Sequence, residues 1–345
     1  MSSQSRVRYG RTRRWLPLAC PALALVSLTS FANDANYRPP RLANGKPDLQ
    51  GNWVLSDPTP LTRPPAFTTL VITAEQAKQL EQLVAAREED RATPTEPTEY
   101  FSPRRIQPIR GEFRSSIIVE PADGQLPGTP GLKEWLANVW PATLNAMDGP
   151  EQRPSSERCV GNPASQPPNL HNPGTNLHQI VQTDDVVVFI AEWMNEARII
   201  RLNSQHSPAA VTSWLGDSIG WWVGDTLVVE TKHFTPSDPG RVAGGLNFRI
   251  SPAATVHERI TRVSDDELSY VFTVDDPTFY TRQWKGETHF MRTDDRILEY
   301  ACHEANRSLT YILQGARVRE ARAQTAQQEG TGLQAPQESA NGANK

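Results

Sequence analysis

The stretch TVHERITRVSDDELSYVFTV, Thr255–Val274, decides the architecture of this 345-residue chain. Its first half alternates, with Val256, Glu258 and Ile260 on one side. Its second half does the same with Leu268, Tyr270, Phe272 and Val274. A period of two places successive side chains on opposite faces of an extended backbone, and Ser264-Asp265-Asp266 supplies the turn between the halves. The segment reads as a hairpin with one buried face. Glu258 falls on that face, so a carboxylate must find a partner among apolar residues.

The same texture continues on both sides. Strands are expected over Gln179–Gln182, Val186–Trp193, Ala197–Leu202, Thr226–Thr231, Tyr280–Met291 and Ile297–Cys302, with turns at Met194-Asn195-Glu196 and Val223-Gly224-Asp225. Short strands in series, rich in Val, Ile, Thr and aromatics, predict a mainly β fold: an antiparallel barrel or a two-sheet sandwich. Gly51-Asn52-Trp53 has the Gly-x-Trp form that opens lipocalin-like barrels. Ahead of the strands, Thr73 and Gln76 form a capping box for a helix whose apolar face is Ala77, Leu80 and Val84. A short strand is expected at Ile117–Glu120 and a second helix over Leu132–Met147, interrupted at Pro141. Asp148–Asn176 is rich in Pro, Asn and Ser; a loop of that length inside a compact domain is commonly functional. The expected organisation is a leader at 1–32, a Pro-rich arm with one helix at 33–110, a β-rich barrel domain at 111–318, and a polar tail at 319–345 that reads as disordered.

The leader carries Arg6, Arg8, Arg11, Arg13 and Arg14, then an apolar run from Leu16 to Leu28 and Ser30-Phe31-Ala32. That is the layout of a signal peptide cut after Ala32, and it predicts a periplasmic or secreted protein. Thr12-Arg13-Arg14-Trp15-Leu16 has the form of a twin-arginine signal. The run is short and broken by Pro17 and Pro21, so stable membrane insertion is not expected. The net charge of −4 includes this basic leader, so the remainder is more acidic still, which speaks against nucleic acid as a partner. Beyond the leader two cysteines remain, Cys159 and Cys302, and in an oxidising compartment they are expected to bond. That turns YACHEAN, Tyr300–Asn306, from a nucleophile beside a base into a covalent anchor beside His303 and Glu304.

The phrases NGKPDLQGNW, SSERCVG, HQIVQTDDVVVFIAEW, WLGDSIGWWVGDTLVVET, DDPTFYTRQW and YACHEAN, in this order, resemble a large family of exported bacterial proteins of unassigned activity. The resemblance covers nearly all of the chain between leader and tail. It implies one shared architecture and carries over no catalytic residue.

The chemistry is therefore read from residue types. His178 opens a strand after the long loop and is the first choice for a catalytic base. Glu192, Glu258 and Glu304 are the candidate acid–base carboxylates. Arg198 and Arg282, with Trp222, Tyr280 and Trp284, are the candidate substrate-binding groups for a hydrophobic or aromatic small molecule. The structural alternative makes Glu192–Arg198 and Glu258–Arg282 ion pairs that close the barrel. His171, His178 and His303 match no metal-ligand spacing, so no metal is assigned, and no cofactor motif is present. Gly216-Asp217-Ser218-Ile219-Gly220 lacks the strand–turn–helix setting of a nucleophilic serine and reads as a turn in which Asp217 caps backbone amides. Three functions remain open: a cofactor-independent lyase, isomerase or hydrolase; a lipocalin-like binding protein; and an envelope accessory protein without a small ligand. Oligomeric state is not legible.

Overall fold

The computed structural model describes residues 37–55, 57–89, 105–139, 146–155, 157–161, 165–171, 176–238, 240–243 and 246–328. They belong to the larger of two compact units, Ala32–Lys345. The expected leader, with its twin-arginine motif, lies outside the described residues.

In chain order the elements are β1 (Gly51–Val54), β2 (Val71–Ile72), α1 (Ala74–Glu89), β3 (Phe113–Arg114), β4 (Ile118–Glu120) and α2 (Pro130–Glu134). There follow β5 (Leu177–Gln182), β6 (Val186–Ala191), β7 (Glu196–Leu202), β8 (Asp217–Val223) and β9 (Thr226–Lys232). Then come β10 (Arg241–Ala243), β11 (Leu246–Phe248), β12 (Thr255–Arg262), β13 (Glu267–Asp275), β14 (Trp284–Arg292) and α3 (Ser308–Gln328).

Nine strands close into a barrel in the order β1-β5-β6-β7-β8-β9-β12-β13-β14, with β14 pairing back onto β1. Directions cannot alternate all the way round a ring with an odd number of members. One junction must be parallel, and it is β7–β8, where Ile200–Leu202 runs alongside Ser218–Gly220. A parallel pair needs a connection that travels back along the barrel, here residues 203–216, rather than a tight turn. The deciding hairpin forms as expected: β12 and β13 pair from Thr255↔Asp275 to Arg262↔Leu268. Its inward residues Val256, Ile260, Leu268, Phe272 and Val274 are buried with Trp53, Phe189, Leu227, Trp284 and Phe290 in one core. Each such side chain contributes roughly 1.5–3 kcal/mol on burial.

The outer wall at β14 is covered by the arm. Glu287 points outward yet is buried, paired with Arg110 and lying 3.9 Å from Arg114. His289 beside it bonds Glu267 through Nδ1 at 3.0 Å and lies 3.7 Å from the buried Asp57. Burial pushes the Asp57 carboxyl above its ordinary value, with His289 and the Thr59 hydrogen bonds opposing. The capping box is present, Thr73 and Gln76 exchanging bonds of 2.9 and 3.2 Å. Ala77 and Leu80 of α1 bury against Phe67, Ile72 and Ile106 in a small second core.

Five expectations need correction. Asp217–Val223 is a strand rather than a turn: Gly216 (φ 69°) and Gly224 (φ 59°) make the turns at its ends. Gly220 lies within it because a Cβ there would come 2.8 Å from Ile200 across the parallel seam. Ile297–Cys302 is not a strand, since β14 is already flanked by β13, β1 and β4. The strand expected from Tyr280 begins at Trp284, and Tyr280 forms only a single bridge to Gly128. The second helix is short: α2 passes into one π-helical turn, Trp135–Val139, and residues 140–145 lie outside the described set. At the other end α3 reaches Gln328, so the stretch from Arg319 that reads as a tail is helical there; beyond 328 nothing is described.

Cys159 and Cys302 form the expected disulfide, with Cα atoms 5.8 Å apart. It joins the turn after Pro154–Ser155 to the segment that leaves the barrel, not to a last strand.

Candidate functional site

The carboxylate that the hairpin carries inward meets Arg198. β7 aims Arg198 into the barrel from beside Phe189 of β6. Its Nη1 donates to Glu258 Oε1 at 2.9 Å and its Nη2 donates to Glu258 Oε2. Nε donates to Ser218 Oγ at 3.0 Å, Nη2 also to Thr231 Oγ1 at 2.8 Å, and Nη1 also to Asn169 Oδ1 at 3.3 Å. A guanidinium has five N–H donors, and all five are taken. Tyr270 donates its hydroxyl to Glu258 Oε1 at 2.7 Å and accepts the Asn169 backbone N–H at 2.9 Å. Burial, then the Glu258 charge, holds the Tyr270 phenol far above its ordinary range. Burial works against the Arg198 charge, and the adjoining Glu258 carboxylate more than offsets it.

Asn169 comes from the long loop, so part of that loop reaches the barrel interior. Gln166, Asn169, Leu170 and His171 are all buried. Arg241 holds the loop in place: its Nη1 donates to Pro167 O at 2.7 Å and its Nε to Asp238 at 2.8 Å, while its plane lies over Phe234. His171 is buried and neutral. Loss of solvent lowers its pKa to about 4, against a bond to the Leu55 backbone that favours the charged form. Its Nδ1 is buried without a hydrogen-bond partner.

Among the residues expected at the site, Arg198 and Glu258 come together, but as mutual partners. Neither the Glu192–Arg198 nor the Glu258–Arg282 pair exists. Glu192 accepts the Leu298 N–H at 2.9 Å, and Arg282 is exposed ahead of β14. His178 faces inward, with Nδ1 2.9 Å from Asn176 O and its ring edge-on to Phe290. Glu304 and His303 are exposed in the turn after Cys302. Trp284 is core, edge-to-face with Phe272, Phe248 and Tyr280, and Trp222 packs against the same core. Ser218 is a buried strand residue shared between Arg198 and Thr231, not an exposed serine on a sharp turn. Asp217 does accept a backbone amide, that of Ser207 at 2.9 Å, but from the crossover rather than from its own turn.

A residue that sequence patterning passes over stands apart. Arg249, just past β11, lies between two aromatic rings, 4.9 Å from the Trp135 centroid and 4.5 Å from that of Phe279. Among the described residues no carboxylate reaches its guanidinium within ion-pair distance, and Nε is buried without a partner. Burial lowers its pKa, while Asp238 and Asp276 act against that from further off. Asp238 is committed to Arg241, and Asp276 to Ser251 and Thr278. The Tyr280 hydroxyl donates to the Arg249 carbonyl at 2.8 Å and fixes the backbone beneath the pair of rings. An unpaired, half-desolvated guanidinium between aromatic faces has N–H donors that call for an acceptor. Arg249 could not be found by alternation, because its neighbours arrive from residues far away in sequence. A groove of about 310 Å³ on the outer wall, between Glu120, His257, Arg259 and Lys285, is by contrast charged around its rim.

No protein-family model, curated protein or solved structure matches this chain.

Proposed function

We propose that this is an exported small-molecule-binding barrel. Its ligand joins a hydrophobic or aromatic body to an anionic group, and the anion meets Arg249 between Trp135 and Phe279. The single observation behind this reading is the absence of any carboxylate partner for Arg249 among the described residues. The interior carboxylate argues in the same direction. Glu258 accepts three hydrogen bonds, two from Arg198 and one from Tyr270, and its charge is matched by the guanidinium, which disfavours it as a proton acceptor. The lipocalin-like comparison and the resemblance to exported bacterial proteins belong to the same proposal. So does periplasmic or secreted location, supported by the disulfide and the basic leader. Among the described residues no helix is long and apolar enough to cross a membrane.

The test is mass spectrometry of ligands that co-purify with the mature protein, followed by titration with aryl carboxylates and their neutral amides. Arg249→Ala is expected to weaken carboxylate binding by roughly 1.5–3 kcal/mol, the range for a hydrogen bond to a charged group. Equal affinity for acid and amide in the wild type would sink the reading.

One observation favours a catalytic alternative. His171 keeps a bare, buried Nδ1 next to the interior network. A cofactor-independent lyase, isomerase or hydrolase would use it to accept a proton or hydrogen bond from substrate. Turnover of a co-purified ligand that survives His171→Gln unchanged removes this alternative.

A further inference from the structure

The crossover forced by the parallel junction brings a different set of groups together. His206 lies on it, Asp217 opens β8, and His233 follows the last residue of β9. Donor atoms of His206, Asp217 and His233 all lie within 4.8 Å of one another. The two imidazole rings are 5.5 Å apart. His206 Nδ1 is 2.8 Å from Asp217 Oδ2, and its Nε2 is 3.0 Å from Glu230 Oε1. His233 Nδ1 is buried with no hydrogen-bond partner, on a residue whose backbone is left-handed, φ 59°.

We propose that His206, Asp217 and His233 form a site for an imidazole-seeking divalent ion such as Zn²⁺ or Cu²⁺. Both nitrogens of His206 face carboxylate oxygens, and a neutral imidazole has one N–H to give. With Nε2–H donated to Glu230, the Nδ1 lone pair faces Asp217, and a cation between them satisfies both. Glu230 then holds the ring in the tautomer and orientation that a ligand needs, as second carboxylates do in histidine metal sites. The unpartnered Nδ1 of His233 supplies the third donor. Two nitrogens and one oxygen leave a fourth position open.

The surrounding charges decide the type of ion. Asp217 also accepts from Arg201 at 2.8 and 3.1 Å, from the Ser207 N–H at 2.9 Å and from Ser207 Oγ at 3.2 Å. Glu230 also accepts Lys232 at 2.7 Å, and His257 lies 3.7 Å away. With two imidazoles and a single carboxylate on offer, the donor set disfavours Ca²⁺ and Mg²⁺, which need many oxygens, and suits ions that favour imidazole.

Isothermal titration of the mature protein with Zn²⁺, Cu²⁺, Ca²⁺ and Mg²⁺ tests this. One equivalent of Zn²⁺ or Cu²⁺ is expected to bind in the micromolar range, with no saturable binding of Ca²⁺ or Mg²⁺. His206→Ala and His233→Ala should each weaken that binding at least about tenfold, with folding verified by circular dichroism. His257→Ala should leave it unchanged. Absence of saturable Zn²⁺ and Cu²⁺ binding overturns the proposal. So does binding that both variants retain at full strength.

Discussion

Removing the charge from Glu258 leaves the Arg198 guanidinium buried with no counter-charge. Glu258→Gln is therefore expected to cost about 3–5 kcal/mol, as broken buried ion pairs do. Tyr270→Phe removes one hydroxyl from the same network and should cost only about 1–3 kcal/mol. Urea midpoints of the two variants give the ranking, and a Glu258→Gln protein as stable as wild type contradicts the account of the interior. His171 adds a pH dependence. Above its ordinary pKa of 6.5 the residue is neutral folded or unfolded and contributes nothing. As pH falls from 6.5 towards 4, the unfolded chain takes up a proton that the folded chain refuses, so stability declines. The loss levels off below about 4, at roughly 3 kcal/mol. His171→Gln should flatten that part of the curve in urea titrations between pH 7 and pH 4. At this scale alternation correctly places Glu258 inside. It misplaces Arg282, because parity holds only within a strand, and the pairing of Glu192 with Arg198 expected across the Met194-Asn195-Glu196 turn does not form either. Glu192 already has helical backbone angles as the chain enters the 3₁₀ turn Trp193–Asn195, and Arg282 precedes the first residue of β14.

Among the elements, the strands with clean alternation are the ones legible in advance, and β12–β13 is the clearest. β8 is hidden because Gly216, Asp217, Gly220 and Gly224 all look like turn residues. Only the packing reveals that Gly220 serves close approach to Ile200, while Gly216 and Gly224 make the turns. Gly286 is a second case. Phe272 of β13 lies over it, and a Cβ there would come 2.1 Å from the ring. Gly286→Ala is expected to destabilise by about 1–3 kcal/mol through overpacking. Gly315 within α3 has open space around it, so Gly315→Ala should stabilise by roughly 0.5–1 kcal/mol. Thermal melts of the pair check both signs. α3 itself escapes sequence reading since its polar composition resembles an unstructured tail, and its one buried face is small, with Ala316 and Ala326.

For the molecule as a whole, the disulfide spans a sequence separation of 143 residues and so constrains most of the barrel in the unfolded chain. The chain-entropy relation gives about 5 kcal/mol for a loop of that size. Replacing both cysteines by serine should lower the denaturation midpoint accordingly, and a loss below about 1 kcal/mol would show that the unfolded chain is already compact. Class and the cysteine pairing are legible in the sequence, because they follow from periodicity and count. Closure is not, since the same alternation fits a barrel or a sandwich and only the β14–β1 pairing decides between them. The candidate site is not legible either: Arg198 meets Glu258 across 60 residues, and Arg249 meets rings from two other segments.

The odd strand number has a dynamic consequence as well. β7 and β8 share three register positions, whereas β12 and β13 share eight, and parallel pairing is the weaker kind per residue. When the native barrel breathes, it should part along this line first. Amide protons of Ile200–Leu202 and Ser218–Gly220 should then exchange with deuterated solvent well ahead of those in the β12–β13 hairpin.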